Sequence, residues 1–269
     1  MTITTKNVSF NNFMKNILIG IPVKNCGAWL ENTVKQIINI NYDKEHISIV
    51  FIENDSDDYS YAVIEYCANK LLSKYNYRSI KYEKRDTGFK LPHESRHDFR
   101  HLDKRMNSLK IIRNYIVDTY LLDNDFLWWV DADYQYIPPN FLIDAVNFDT
   151  DIVMPRVEVE GKNYDGATHT DINGKGVYID EVAKQFDDVF YPMNLVECAA
   201  LVSRKVFDSG IRYDSGHLVG DDGKEHYFQE GTHFSRQAKV AGFKLYGSLK
   251  HVIIHQTING MMPFECEEK

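Results

Sequence analysis

The sequence predicts a single α/β domain with a mostly parallel sheet and helices on both faces. Apolar runs of strand length alternate with stretches of helical periodicity through the first half of the chain. Such alternation joins parallel strands through right-handed crossovers. A length of 269 residues with 43% hydrophobic residues is enough for one substantial core. We therefore expect one domain over residues 1–269, without a repeat or a linker.

The first two β–α units account for residues 16–75. Residues 16–22 are an apolar run closed by proline, which predicts a strand, and residues 29–40 carry apolar side chains at helical spacing. The same order returns as a strand at 47–52, an acidic turn and a helix at 60–75. Two such units predict two adjacent parallel strands.

A third strand at 79–83 precedes a long polar stretch at 84–101. A loop of this length is uncommon in a compact domain and is often functional. The remaining predicted elements, in chain order, are a helix at 102–122, a strand at 126–130, a turn at 134–139 from which a helix runs to about 147, a strand at 151–155, a loop-rich region over the site at 158–194, a strand at 196–203, a helix at 229–241 and short strands at 244–247 and 251–254.

Composition excludes several classes of protein. The formal net charge of -8 makes nucleic acid an improbable partner. The four cysteines lack CxxC spacing, so they predict neither a structural zinc site nor a disulfide framework, and they indicate a reducing compartment. Residues 1–15 contain no apolar segment typical of a leader, and no window approaches the roughly 18 apolar residues that cross a bilayer. We expect no integral membrane segment and a cytoplasmic location.

The strongest site signal is Asp131-Ala132-Asp133, which directly follows the Trp-rich strand at 126–130. Side chains alternate along a strand, so both carboxylates project to the same side if the strand geometry continues. Paired hard oxygen ligands suit Mg²⁺ or Mn²⁺. An Asp-x-Asp tripeptide arises by chance in many acidic chains, but its position at a buried strand end favours a metal site.

Other polar residues follow the first two predicted strands. Ligands bind beyond the carboxyl ends of strands in open parallel sheets, which makes Pro22, Lys24 and Asn25 candidates for donor binding. We expect this first strand end to shape the site through its backbone. For Glu53 and Asp55, contact with a nucleoside and a structural role in the turn or at a helix N-terminus are equally supported.

Arg113 lies on an apolar face of the predicted helix at 102–122, together with Leu109, Ile116 and Tyr120. A buried charge needs a partner. The alternatives are a buried carboxylate, and a nucleotide diphosphate or Asp131; we favour the second because a planar guanidinium suits phosphate. Nearby Arg105 adds positive charge, with a solvated basic face as the alternative.

His255 follows the last apolar run, and imidazole is an acceptable Mn²⁺ ligand, although an isolated histidine usually has a structural role. Glu230 opens a predicted helix, where it either stabilises the helix dipole or places a carboxylate towards the sugar. If the reaction inverts configuration, Glu230 or Asp222 is the candidate base.

Together these residues resemble the Anp1/Mnn9-like mannosyltransferases, glycosyltransferase family 62, within the GT-A superfamily. Beside the Asp-x-Asp motif, the resemblance rests on the apolar strand ending Pro22-Val23-Lys24-Asn25, on Asp55-Ser56-Asp57-Asp58, Arg113-Asn114, Pro138-Pro139, Glu230-Gly231, Ala238-Lys239-x-Ala241-Gly242, Tyr246-Gly247 and His255.

The resemblance implies a GT-A fold with a nucleotide-binding half at about 16–135 and an acceptor half at about 136–260. It also implies a GDP- or UDP-sugar donor, with mannose favoured, a Mn²⁺ or Mg²⁺ ion held by Asp133 with Asp131 and His255, and a glycan or other hydroxyl acceptor. Retention of configuration, in which the leaving phosphate takes the proton, is the course that the resemblance implies.

Two other functions remain open at this point. A phosphatase of the haloacid-dehalogenase type also uses Asp-x-Asp, but as a nucleophile near the start of its domain, whereas here the motif lies in mid-chain. The other alternative is a non-catalytic module that binds a nucleotide or a sugar.

Overall fold

A computed structural model describes residues 14–90, 101–164, 168–170, 176–197, 199–220 and 222–256. The first half of the chain contains β1 (Ile17–Val23), α1 (Leu30–Ile38), β2 (Ile47–Glu53), α2 (Ser60–Lys74), β3 (Ser79–Lys84), α3 (Leu102–Tyr120) and β4 (Phe126–Trp129). The second half contains β5 (Tyr134–Tyr136), α4 (Phe141–Phe148), β6 (Ile152–Val159), β7 (Lys162–Asn163), β8 (Thr168–Thr170), β9 (Gly176–Tyr178), α5 (Ile179–Ala183), β10 (Phe190–Pro192), β11 (Leu201–Ser203), α6 (Arg204–Asp208), β12 (Gly216–Val219), β13 (Glu225–Phe228), α7 (Glu230–Val240) and β14 (Leu245–His255).

The central sheet has the strand order β10-β14-β6-β11-β4-β1-β2-β3, with β5 paired to β14 and β7 paired to β6. Strands β4, β1, β2 and β3 run parallel, as does the pair of β6 and β14. Strand β11 lies antiparallel between β4 and β6. The expectation of a mostly parallel sheet is confirmed.

Two hydrophobic cores cover the two faces of this sheet. Alternation along β1 sends Ile17, Ile19 and Ile21 to a core shared with α1, α2 and α4. Leu18 enters the opposite core, which contains residues of α3, α5, α6 and α7. Helices therefore lie on both faces, as the sequence predicts.

Gly20 interrupts the apolar side chains of β1 because a tryptophan ring fills the space beside it. A Cβ at this position would lie 2.8 Å from Cζ3 of buried Trp129 and 3.2 Å from Cδ1 of Leu127. We expect Gly20→Ala to lower the free energy of unfolding by about 1–3 kcal/mol, the usual penalty for overpacking, in urea denaturation. Gly216→Ala is the control, since its Cβ would meet Nε2 of His233 at an ordinary 3.6 Å. Equal stability of the two variants would contradict this account.

The second half differs more from the predictions. The expected turn at 134–139 contains the short strand β5, which pairs with the end of β14. The two short strands expected at 244–254 form one strand, β14, with an irregularity between Gly247 and Val252. Of the described residues in the strand expected at 196–203, Leu201–Ser203 form a strand, β11.

The region at 158–194, expected to be loop-rich, carries β7, β8, β9, β10 and α5 and the end of β6. The hairpin of β12 and β13 and the helix α6 are likewise absent from the predictions. These elements are short, with strands of two to four residues each, so local periodicity carries little sign of them.

Some predictions fall partly outside the described residues. This applies to 91–100 of the polar stretch at 84–101, and to Cys198 and Cys266; Cys26 and Cys67 are buried thiols. Across the ranges that the structure describes, no helix combines the length and apolar character needed to cross a bilayer.

Candidate active site

The carboxyl ends of β1, β2 and β4 meet at one edge of the sheet because these strands are parallel neighbours. The loops after β1 and β2 are joined by hydrogen bonds. The Asn25 N–H donates to Oγ of Ser56 (3.0 Å), the Asp57 N–H donates to Oδ1 of Asn25 (2.9 Å), and the Gly27 N–H donates to Oδ2 of Asp58 (3.0 Å). These hydrogen bonds fix the relative position of the two loops, and donor binding by Pro22 and Asn25 stays a prediction.

Lys24 binds carbonyl groups of the surrounding loops. Its Nζ donates to the carbonyls of Asn54 (3.3 Å), Asp55 (3.2 Å) and Phe89 (2.6 Å), and it lies 5.5 Å from the centre of the Phe89 ring. Burial lowers the pKa of Lys24, against the effect of the nearby carboxylates of Asp55 and Glu53. The residue joins the loop after β2 to the segment that follows β3.

Glu53 and Asp55 both have structural partners. Asp55 accepts hydrogen bonds from the N–H and the hydroxyl of Thr87 (2.7 Å each) and from the N–H of Gly88 (3.2 Å). Burial raises the pKa of Asp55, but these hydrogen bonds outweigh it and the net pKa is lowered. Oε1 of buried Glu53 accepts from the N–H of Ser56 (2.7 Å). Both carboxylates thus stabilise the turn after β2, and contact of Glu53 or Asp55 with a nucleoside stays a prediction.

The two aspartates of the Asp-x-Asp motif lie in a turn, because β4 ends at Trp129. Pairing of β4 with β1 stops at Trp129, so the continued strand that would place both carboxylates on the same side is not present. Oδ2 of Asp131 accepts from the hydroxyl of Tyr134 (2.9 Å). Asp133 is 3% exposed, and its Oδ1 lies 3.2 Å from Nε2 of His255. Tyr134 thus contacts the first aspartate of the motif, and His255 contacts the second.

His255, at the end of β14, is oriented by contacts to both ring nitrogens. Nδ1 lies 2.9 Å from the carbonyl oxygen of Gln256, which places a proton on Nδ1 and directs Nε2 to Asp133. The rings of Tyr134 and Tyr164 lie 5.5 Å and 4.9 Å away. Burial lowers the pKa of His255, but the charge and hydrogen bond of Asp133 outweigh it, and the net pKa is raised.

The donor atoms of Asp133 and His255 suit a divalent ion. Two neighbouring ligands of an octahedral ion with bonds of about 2.1 Å lie about 3 Å apart, and these two atoms are 3.2 Å apart. Within the described ranges, however, no three His, Cys, Asp or Glu side chains are grouped as a metal site. Two of the three predicted ligands are in contact, while Asp131 is bonded to Tyr134, so the three-ligand set is not preformed.

Arg113 pairs with Glu230, the buried-carboxylate alternative that the sequence analysis did not favour. Nη1 of Arg113 donates to Oε1 and Oε2 of Glu230, both at 2.8 Å. The guanidinium lies 5.3 Å from the ring centre of Trp129 and 5.2 Å from that of Tyr213. Burial of Glu230, which is 2% exposed, raises its pKa; Arg113 opposes this rise and the charge of Asp131 adds to it. The ion pair therefore lies near the Asp-x-Asp motif.

Sequence reasoning missed Tyr213, which supports this pair. The Tyr213 hydroxyl accepts from Nε1 of Trp129 (2.6 Å), and its ring stacks on Phe234. The side chain of Asn114 donates to the Tyr213 carbonyl (2.8 Å) and accepts from its N–H (2.9 Å). The position of Asn114 beside Arg113 was the available signal, but nothing in the local sequence points to residue 213.

The structure does not bring Asp222 to the other candidates. It lies, half exposed, in the turn between β12 and β13, where Oδ1 accepts from the N–H of Lys224 (3.0 Å) and lies 2.9 Å from Nε2 of His226. None of the contacts described joins it to Asp131 or Glu230. Arg105 is partly exposed in the first turn of α3.

Comparisons with known proteins give a consistent family and fold. A model of the Anp1 family matches residues 1–174, which include Asp131 and Asp133 but not Glu230 or His255. The Mannan polymerase II complex anp1 subunit of Schizosaccharomyces pombe is 23% identical over 150 residues, covering 53% of this chain and 35% of the relative. The chain thus spans about a third of the length of that curated relative.

Solved structures of similar fold are GT-A glycosyltransferases. Mannosyltransferase PcManGT of Pyrobaculum calidifontis, in complex with GDP-Man and Mn²⁺, has a TM-score of 0.61 at 10% identity and covers 92% of this chain and 59% of its own. GalNAc-T7 with UDP, GalNAc and Mn²⁺ has a TM-score of 0.63 at 16% identity; the match covers 94% of this chain and 46% of GalNAc-T7. S. aureus TarS 1-349 has a TM-score of 0.57 at 15% identity; the match covers 90% of this chain and 60% of the TarS chain. At these identities the likeness shows the GT-A fold.

Proposed function

The chain belongs to the Anp1 family, and on this basis we propose that it is a metal-dependent glycosyltransferase. It transfers a sugar, with mannose favoured, from a nucleotide-sugar donor to a hydroxyl acceptor. The observation that carries the proposal is the contact between Asp133 and His255 at the carboxyl ends of β4 and β14. Complexes of related fold contain GDP-Man with Mn²⁺ and UDP-GlcNAc, which supports this class of donor.

A bound Mn²⁺ or Mg²⁺ would neutralise the charge that develops on the departing diphosphate. Asp133 and His255 supply two ligands whose orientation is already set. Asp131, whose carboxylate accepts from the Tyr134 hydroxyl, adds a second negative charge beside them. Lys24 and Asn25 keep the loops after β1 and β2 in place where the nucleoside binds.

Glu230 acts in this proposal as a positioning residue. Both of its oxygens accept from Nη1 of Arg113, and a carboxylate with such a buried partner is a poor acceptor for the proton of an incoming hydroxyl. Asp222 is occupied by contacts within its own hairpin turn. These arrangements support retention of configuration, in which the leaving phosphate takes the proton.

Thermal unfolding with nucleotides tests the proposal. GDP, UDP and their sugar conjugates are added with and without Mn²⁺, because a ligand of the native state adds about 2.7 kcal/mol of stability at 100 times its Kd. We expect a metal-dependent rise in Tm with at least one nucleotide, and release of sugar from the matching conjugate. Stabilisation without turnover would instead indicate a binding module, and the absence of any metal-dependent stabilisation would overturn the proposal.

His255→Ala should weaken Mn²⁺ binding by about 10-fold or more, since removal of even an outer partner of a metal ligand has effects of this size. Calorimetric titration of Mn²⁺ measures the change. His251→Ala is a matched control, because His251 is also buried in β14 but pairs with Asp144 and Ser248. Unchanged Mn²⁺ affinity would leave His255 with a structural role only.

A further inference from the structure

The hairpin of β12 and β13 is a two-stranded sheet separate from the central sheet. The strands pair from Gly216 opposite Phe228 to Val219 opposite Glu225, and both pack against α7. The hairpin is therefore an addition to the domain rather than part of its core, which leaves one of its faces available for another role.

Both strands of the hairpin connect to segments that lie beside the candidate active site. Strand β13 ends at Phe228, two residues before Glu230 opens α7. Asp214, two residues before β12, pairs with Nζ of Lys110 (2.9 Å), and it directly follows Tyr213, whose ring centre lies 5.2 Å from the Arg113 guanidinium. The base of the hairpin thus adjoins the buried ion pair of Arg113 and Glu230.

Contacts with α7 and within the turn hold the hairpin in one geometry. Nε of Arg236 in α7 donates to the carbonyl of Val219 (2.7 Å). Across the turn, the N–H of Gly220 donates to the carbonyl of Lys224 (2.7 Å). A surface fixed in this way loses little conformational freedom when it binds a ligand.

One face of the hairpin is exposed and carries rings beside a carboxylate. Alternation and register place His217, Val219, Glu225 and Tyr227 on the same face, and all four are exposed. The rings of His217 and Tyr227 contact each other with centres 5.4 Å apart, and Tyr227 remains 54% exposed. The opposite face carries Leu218 and Phe228, which are less exposed, and the exposed His226, which contacts Asp222 in the turn.

We propose that this exposed face of β12 and β13 binds the acceptor glycan, an inference that rests on the proposed function. A sugar ring has an apolar face of C–H groups, which packs on an aromatic ring such as that of Tyr227, and an edge of hydroxyls, which donate to a carboxylate such as Glu225. The face carries a single carboxylate among rings and an apolar side chain, which suits an uncharged, polyhydroxylated ligand. The base of the hairpin lies beside the candidate active site, where the acceptor hydroxyl must lie for transfer.

An NMR titration of the whole chain with linear mannotriose, in the presence of GDP and Mn²⁺, tests the proposal. We expect Tyr227→Ala to raise the Kd for mannotriose by about 5-fold or more, because the aromatic contact is lost. Tyr227→Phe keeps the ring and should retain the affinity of the parent. Tyr66→Ala is the control: Tyr66 is 56% exposed on α2, which packs on the other face of the sheet. Binding of GDP with Mn²⁺ should be the same in all variants.

Failure of this inference is distinguishable from failure of the proposed function. If GDP binds with Mn²⁺ but Tyr227→Ala binds mannotriose as the parent does, the acceptor surface is wrong and the glycosyltransferase proposal stands. The same conclusion follows if the parent shows no mannotriose binding up to about 10 mM, or if Tyr227→Ala only dissociates an oligomer. If the parent binds neither nucleotide nor mannotriose, both proposals are overturned.

Discussion

Replacing Asp133 with alanine should abolish Mn²⁺-dependent binding of the nucleotide and, with it, sugar transfer. The change removes a buried ligand whose oxygen lies 3.2 Å from Nε2 of His255, and leaves the ion with one oriented protein ligand. We expect the affinity for GDP in the presence of Mn²⁺ to fall by about 100-fold or more, since loss of a direct ligand exceeds the effect of an outer partner. Calorimetric titration of GDP at saturating Mn²⁺ measures this.

The fold should survive the change, which circular dichroism and thermal unfolding can establish. Asp151→Ala is the matched control, because Asp151 is also a largely buried carboxylate next to a strand; it directly precedes β6, accepts from the N–H of Lys244 and pairs with Lys205. If the Asp133 variant binds GDP as tightly as the parent at saturating Mn²⁺, the ligand assignment is wrong.

Glu230→Gln should have two effects, one on stability and one on transfer. Arg113 would keep its buried position without a counter-charge, and breaking a buried ion pair in this way destabilises a protein by about 3–5 kcal/mol. Transfer should fall by roughly 10²-fold, with little change in donor binding, because the pair of Arg113 and Glu230 would no longer position the reacting groups. Urea denaturation and single-turnover rates measure the two effects separately.

The double variant Arg113→Met with Glu230→Gln separates packing from chemistry. It removes both charges, and a buried ion pair replaced by uncharged groups is often neutral for stability. Recovery of stability together with transfer would make the pair purely structural, whereas recovery of stability alone would assign the charges to the reaction. A single Glu230→Gln variant with parental stability and parental transfer would refute both roles.

Much of the first half of the fold follows from the sequence because β1, β2 and β4 are mostly apolar, buried runs. Residues 47–52, for example, are predicted as a strand and lie within β2, every residue of which is buried. The Asp-x-Asp motif is visible for the same reason, since two carboxylates end an apolar run. Strands such as β5 and β11 have three residues each and depend on pairing with distant segments, so a pattern read along the chain gives them no signal.

The candidate site shows the same limit. Arg113 is recognisable in the sequence as a charge on an apolar helical face that needs a partner, but that partner, Glu230, lies 117 residues further along the chain. Spacing along the sequence does not show whether Arg113 pairs with such a distant carboxylate or with a bound phosphate. Likewise Tyr213 lies in an irregular segment, and only the folded arrangement shows its contact with Trp129.

The pairing of β14 with β6 has a consequence for the order in which the protein matures. The hydrogen bond that begins this region joins Lys244 to Asp151, 93 residues apart, and contacts of such separation form late because the loop must close before they stabilise anything. The contact of His255, at the far end of β14, with Asp133 depends on the same long-range pairing. In the proposed metal site, a nascent chain that has already exposed both aspartates still lacks His255, so the ion would bind fully only after β14 has been made and paired.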